Sequence, residues 1–282
     1  MILVLLLCVI AGIPAALAEK PAEQGHAVET IGQGTVNWTT GVVTAVGSGA
    51  PPPNAVNPTQ ARAMAERAAF SVALRNLLEA VKGVQVDSTT VIENFLVKSD
   101  AIKTKITGYV KGARIIKTDR QPDGTVDVTI AVAMKGELVD ALLPKEFGAA
   151  PAAIPAPVPP AATPAPAPVE AYTGLLIDAR GLGLKPALVP RLLDEQGKEV
   201  YAGAVLTRDQ AVEAGVAGYA RDLVAASRQP RVTDNPLVVK AVKASGSKPT
   251  DIILAPDSVK AIQHAETASQ FLKQARVVVV YD

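Results

Sequence analysis

Apolar residues change their spacing several times along this chain, and each change predicts an element. Across residues 35–46 polar and apolar positions alternate loosely among β-branched residues, which predicts one strand. A helix start follows at Asn57-Pro58-Thr59-Gln60. Asn57 offers a capping oxygen, Pro58 suits the first helical position, and Gln60 occupies the third. Ala63, Phe70, Leu74, Leu77, Leu78 and Val81 then recur on one stripe that Arg62, Glu66, Arg75 and Glu79 largely avoid. Gly83 reads as a left-handed stop. Residues 84–91 read as extended and 99–107 as a short helix. Segments 112–118 and 124–134 flank Gln121-Pro122-Asp123-Gly124, a hairpin signal. In the second of these strands Val126, Val128, Ile130, Val132 and Met134 share a face, with Asp127 and Thr129 opposite. A closing helix over 137–143 is stopped by Pro144.

The periodicity then vanishes. Residues 148–170 are dominated by Pro and Ala, and repeated Pro holds a chain near polyproline II, a semi-rigid spacer. Beyond it the pattern resumes. Residues 173–179 are apolar and extended, and 188–193 and 199–206 flank a hairpin at Asp194-Glu195-Gln196-Gly197-Lys198. Thr207 and Gln210 form a capping box opening a helix expected to run to about 227, with Val212, Val216, Tyr219 and Leu223 on one face. Residues 231–244 and 251–255 read as extended around Ser245-Gly246-Ser247-Lys248-Pro249. A helix capped by Asp257 or Ser258 is expected to reach 275, with Ile262, Ala265, Ser269 and Leu272 inward. Val277–Val280 is a continuous β-branched run, read as a strand buried on both faces and inserted between earlier ones. The predicted class is α+β, as two small two-layer α/β domains, 32–147 and 171–282, joined by a Pro/Ala-rich linker. A spacer of that kind is expected to keep the two apart, each folding by itself.

The stretch Val36-Asn37-Trp38 through Gly41, Ala45, Gly47 and Gly49, followed by Ala61, Ala65, Leu77, Leu78, Gly83 and Val84, resembles the Helicobacter twenty-kilodalton lipoprotein domain family. That family also includes the flagellar envelope proteins FlgP and FlgT. The resemblance spans about residues 32–143, and its motifs are structural. It extends to Gly108 and Gly112 in Thr107-Gly108-Tyr109-Val110-Lys111-Gly112-Ala113, which matches a strand entry of the family. It implies Trp38, Gly41, Gly47, Gly49, Gly108 and Gly112 as fold-defining or interaction residues. It also implies envelope or flagellar-motor proteins as partners, and a homo-oligomer, since FlgP-like proteins build multimeric layers. Trp38–Val46, with no Lys or Pro, would serve such association if it lay at a sheet edge.

The first residues supply an address. Residues 2–13 are almost unbroken in their apolarity and lead to Ala16-Leu17-Ala18, a small-x-small signature for cleavage before Glu19. Residues 1–18 therefore read as a signal peptide and 19–31 as a flexible N-terminus. The expected location is the periplasm, in association with the outer membrane. Cys8, the single cysteine, is preceded by the bulky Leu7, which departs from the lipoprotein members, and cleavage would remove it. Lys+Arg 28 against Asp+Glu 27 leaves net charge +1, so no global field favours nucleic acid. Aromatic content of 4% argues against stacking platforms for sugars or single-stranded nucleic acid.

Chemistry is sparse. Gly181-Leu182-Gly183 lacks the third glycine and helix start of a phosphate cradle. His26 and His264 stand alone, with no nucleophile motif and no zinc-ligand spacing. Asp178, Arg180, Asp251 and Asp282 are the weak polar-site candidates, because strand-end carboxylates could gather at one edge. No catalytic residue, metal ligand, cofactor or small-molecule substrate is assigned. The leading expectation is a non-enzymatic envelope structural or assembly protein. The alternatives are a periplasmic module binding peptidoglycan or another envelope polymer, with Asp178 and Arg180 in a cleft, and a carboxylate-dependent hydrolase.

Overall fold

The computed structural model describes residues 25–148 and 172–282. The cleavage signature, Cys8 and nearly all of the Pro/Ala-rich linker lie outside them. The first region opens with strands β1 (Val28–Ile31), β2 (Gly34–Asn37) and β3 (Val42–Gly49). Helices α1 (Pro58–Gly83), α2 (Ile92–Lys98) and α3 (Asp100–Lys111) follow, then β4 (Arg114–Arg120), β5 (Val126–Ala133) and α4 (Glu137–Leu142). The five strands form an antiparallel sheet in the order β1-β2-β3-β5-β4.

The second region contains β6 (Gly174–Asp178), β7 (Leu192–Leu193), β8 (Glu199–Tyr201), α5 (Arg208–Ala214), β9 (Gly218–Ala220) and α6 (Leu223–Ser227). It continues through β10 (Pro236–Ser245), β11 (Asp251–Leu254), α7 (Pro256–Ser269) and β12 (Val277–Val280). Its mixed sheet has the order β8-β7-β11-β10-β6-β12-β9, with β10, β6, β12 and β9 mutually parallel. Val277–Val280 is buried throughout and lies between β6 and β9. A chain-terminal strand inserted into the sheet is thus what its unbroken β-branched run specifies.

Close packing of small residues organises the first region. The buried side of α1 is Ala65, Ala69, Ala73, Leu77, Ala80 and Val81; of the expected stripe it keeps Leu77 and Val81 but not Ala63, Phe70, Leu74 and Leu78. The last three are only partly buried, and Ala63 is exposed. The reason lies in β3. A Cβ on Gly47 would sit 2.2 Å from the Ala73 nitrogen, and one on Gly49 2.1 Å from the Ala65 oxygen. Glycine on the strand and alanine on the helix let the two backbones touch, so the alanine face turns inward and the larger residues take the flanks.

Other expectations are corrected in the same way. The single strand predicted over 35–46 is a hairpin, because the Asn37 carboxamide accepts the Thr39 and Thr40 amides at 3.1 and 3.0 Å and folds a turn there. Gly41 closes it at φ +67°. β3 is therefore interior, paired on both sides, and offers no edge for self-association through Trp38–Val46. Residues 28–31, expected to be flexible, form β1 against β2. Gly83 is not left-handed; a Cβ there would meet Ile31 Cγ2 at 2.4 Å. Residues 84–91 are a loop closed by one bridge, Gln85 to Val91. Gly108 lies inside α3 and Gly112 caps it, so the expected strand entry is helical. The helix expected from 207 to 227 stops at Gly215 (φ +74°), and the chain then forms β9 and α6. α7 has no side-chain cap, and Gln270 in the left-handed region ends it before 275.

The two regions also pack directly on one another, where the linker led us to expect separation. Buried side chains from both belong to one continuous apolar cluster.

Candidate functional site

The seam between the regions gathers most of the chemistry that the structure builds, at three fastenings. The first is aromatic. The turn after β2 projects Trp38, 4% exposed, across the seam rather than into its own region. Its ring meets Tyr219 of β9 edge-on at 5.6 Å, and Tyr219 meets Tyr281 in the same manner at 5.8 Å. The indole Nε1 donates to Glu29 at 3.1 Å, and the Tyr219 hydroxyl donates to the Ala187 oxygen at 2.8 Å. Thr39 Oγ1 donates to the Tyr219 oxygen at 2.8 Å, and the Arg221 amide reaches the Gly25 oxygen at 2.9 Å, so the outer edge of β9 is covered. The Tyr281 hydroxyl is buried without a partner among the described residues, and burial pushes its pKa up to about 12. The guanidinium of Arg221 lies 4.4 Å over that ring.

Beside Trp38 lies a cavity of about 300 Å³ bounded by Thr40, Met134, Lys135, Leu188 and Arg231. Arg231 is largely buried, and desolvation lowers its pKa. Its guanidinium donates to the oxygens of Ala214, Gly215 and Ala275, so it holds the end of α5 and is not free for a ligand.

The second fastening is the loop over 84–91. Asp87 Oδ1 accepts the Thr89 and Thr90 amides at 2.8 and 3.0 Å and shapes it. The loop then accepts strand-like bonds from the second region: Leu188 to Gln85 at 2.9 Å, Val189 to Val86 at 2.8 Å, and Lys248 to Ser88 at 2.9 Å. Beneath it, Arg191 forms a two-pronged pair with Asp251, at 3.2 and 2.5 Å, and Asp251 is buried. A second cavity, of about 370 Å³, opens here between Phe95, Leu142, Phe147 and Val189, with Asp87, Arg191 and Glu199 at its rim.

The third fastening joins α4 to α5. Arg208, first residue of the capping-box helix, donates to Asp140 Oδ1 at 3.2 and 3.0 Å. It also reaches the oxygens of Leu143 and Pro144 at 3.1 and 2.8 Å, supplying donors to the carbonyl end of α4. The Arg208 hydrogen bond holds the Asp140 carboxyl below its ordinary range. A carboxylate with a depressed folded pKa stabilises the fold fully above its unfolded pKa and loses that contribution as pH falls through the folded one. Arg208→Ala should therefore lower stability at pH 7 by about 1–3 kcal/mol, chiefly through orphaned carbonyls. The difference from the parent should shrink below about pH 4. Urea titrations at both pH values measure this.

Of the polar candidates, Asp178, Arg180 and Asp282 gather at one end of β6 and β12, and Asp251 lies apart. Arg180 clamps Asp178 with two bonds of 2.8 Å, and that pairing lowers the Asp178 pKa. Asp282 accepts the Gly181 amide. Asp251 lies opposite Ser245 whereas Asp178 lies opposite Lys240, so β10 and its register separate them. Gly181 and Gly183 are turn residues at φ +78° and +64°, as the missing helix start implied. Of the histidines, His26 lies beside Asn37 at 3.4 Å and His264 is exposed on α7. No group of three His, Cys, Asp or Glu side chains converges among the described residues. Nor is any described helix long and apolar enough to cross a membrane.

The comparisons with known proteins fall on the second region. Residues 174–282 match the family model described as Treponema pallidum Tp0624, second domain. The likeness covers less than half of the chain and begins at β6. It lies outside residues 32–143 and does not bear on the resemblance expected there. No curated protein gives a significant match to the chain. Sequence reasoning missed Arg191, Arg208, Tyr219 and Tyr281 as seam residues. Arg208 stood next to the capping residue Thr207, but nothing local says that an arginine there will reach a helix end 68 residues away in the chain.

Proposed function

We propose that this chain is a non-enzymatic structural or assembly protein of the cell envelope, in which two α+β regions act as one body. The observation that carries this reading is the use to which the seam puts its polar groups. Arg208 and Asp140 join the regions, Arg231 holds the end of α5, and Arg191 is committed to Asp251 and, across the seam, to Ser88 at 3.5 Å. The carboxylates that a hydrolase would require are each engaged elsewhere. The cleavage signature before Glu19 supports export, and the lipoprotein-like stretch supports an assembly such as the flagellar motor. The cavity of about 370 Å³ favours a second reading, a module for an envelope polymer, because its floor is apolar and its rim polar.

Capture of the tagged full-length protein from envelope fractions, with intact-mass analysis of the recovered chain, tests the proposal. A mature chain starting at Glu19 that brings down envelope assembly proteins reciprocally is expected. A chain retaining Met1 in the cytosolic fraction would overturn it. Recovery on peptidoglycan sacculi alone, abolished by filling the cavity with Gly203→Trp, would favour the polymer reading.

A further inference from the structure

The free edges of the two sheets differ. β1 has four residues and β8 three, and the outer side of β9 is covered by Gly25 and Thr39. β4 has seven, pairs only with β5 within the sheet, and is mostly exposed along its length. It reads Arg-Ile-Ile-Lys-Thr-Asp-Arg, and it leaves Ile115 47% and Ile116 59% exposed. A bulge between Ile115 and Lys117 breaks its register with β5. An unpaired edge of this length is a template for a further strand.

Its charges select the occupant. Lys117 reaches Asp119 at 2.7 Å and Arg120 reaches Glu66 at 3.4 Å, whereas Arg114 has no carboxylate partner among the described residues. Beside Arg114 a depression of about 620 Å³ runs between Gly108, Gly112, Ile116, Lys135 and Glu137. Asp119, Asp123 and Asp127 lie toward the β4–β5 hairpin, whereas the depression at the other end sets Arg114 and Lys135 against one acid, Glu137, which leaves a net positive charge there. A second copy fits poorly. Full antiparallel overlap of two β4 strands would set Arg114 against Arg120 and Lys117 against Lys117, and like charges directly opposite are destabilising.

We propose that β4 receives an extended acidic segment of a partner protein, added as a sixth strand. Carboxylates of that segment face Arg114 and Lys117, and its apolar side chains cover Ile115 and Ile116. This deepens the assembly reading by naming the chemistry of a partner, and its test does not depend on where the protein resides.

The probe is a fluorescein-labelled peptide, acetyl-Val-Glu-Val-Glu-Val-Glu-Val-amide, with a Lys-for-Glu version as its counterpart, titrated against the mature chain. The acidic peptide should bind at least about tenfold more tightly than the basic one and weaken as salt rises. Hydrogen exchange should slow over residues 114–120. The exposed change Arg114→Glu should reverse the preference while leaving the circular dichroism unchanged. Equal binding of the two peptides, binding of neither, or protection at 28–31 or 199–201 instead would overturn the proposal. So would a concentration-dependent dimer that protects 114–120 without peptide. Failure of the envelope capture with success here would reject the location and leave this surface standing.

Discussion

Gly47→Val is expected to leave the first region unable to pack. The new Cβ would lie 2.2 Å from the Ala73 nitrogen and 2.3 Å from the Ala69 oxygen, and both obstacles are backbone. No rotamer relieves such an overlap, so α1 must lift from β3, taking Ala65, Ala69 and Ala73 out of the core. Overpacking ordinarily costs about 1–3 kcal/mol; a clash with helix backbone belongs at or above the top of that range. Gly49→Val should behave alike, with the Ala65 oxygen 2.1 Å away. Gly108→Ala should do the opposite. Nothing lies within 4 Å of its Cβ position, and it stands inside α3, where alanine is favoured by about 1 kcal/mol. Urea unfolding followed by circular dichroism separates these outcomes. Equal small losses at all three positions would contradict the packing described.

Trp38→Ala should have an effect of comparable size, and its character should differ. Removing a buried aromatic commonly costs about 3–5 kcal/mol. Here the loss falls on the seam, because the indole packs on Tyr219 and holds Glu29. The parent should unfold in one calorimetric transition and the variant in two, as each region keeps its own sheet while losing its neighbour. A variant that still unfolds in a single transition at the parent's temperature would contradict the role given to Trp38.

Much of the architecture was legible in local chemistry. Asn57 caps α1 through Gln60, Gln121-Pro122-Asp123-Gly124 turns β4 into β5, and Thr207 with Gln210 forms both halves of a capping box. Val277–Val280 announced a strand buried on both sides. What failed depended on distant partners. On α1 the expected Leu77 and Val81 are buried, but Phe70 and Leu74 are not, because hydrophobicity ranks them above alanine while Gly47 and Gly49 bring the helix backbone too close for anything larger. The helix expected to reach 227 was misjudged because Val212, Val216 and Tyr219 share helical spacing, yet Gly215 turns the chain and Tyr219 serves β9. The seam itself was least legible. A proline-rich linker says how far two regions can separate, and it carries no information about whether their surfaces attract.

That attraction is what makes the chain one body, and it can be measured without any partner. A protease site inserted within residues 149–171 and then cleaved leaves the two regions joined only by the seam. Size-exclusion chromatography of the cut protein at micromolar concentration should give one peak containing both fragments, at the elution volume of the uncut chain. Two peaks, each a folded fragment by circular dichroism, would show that the regions are independent and would contradict the account.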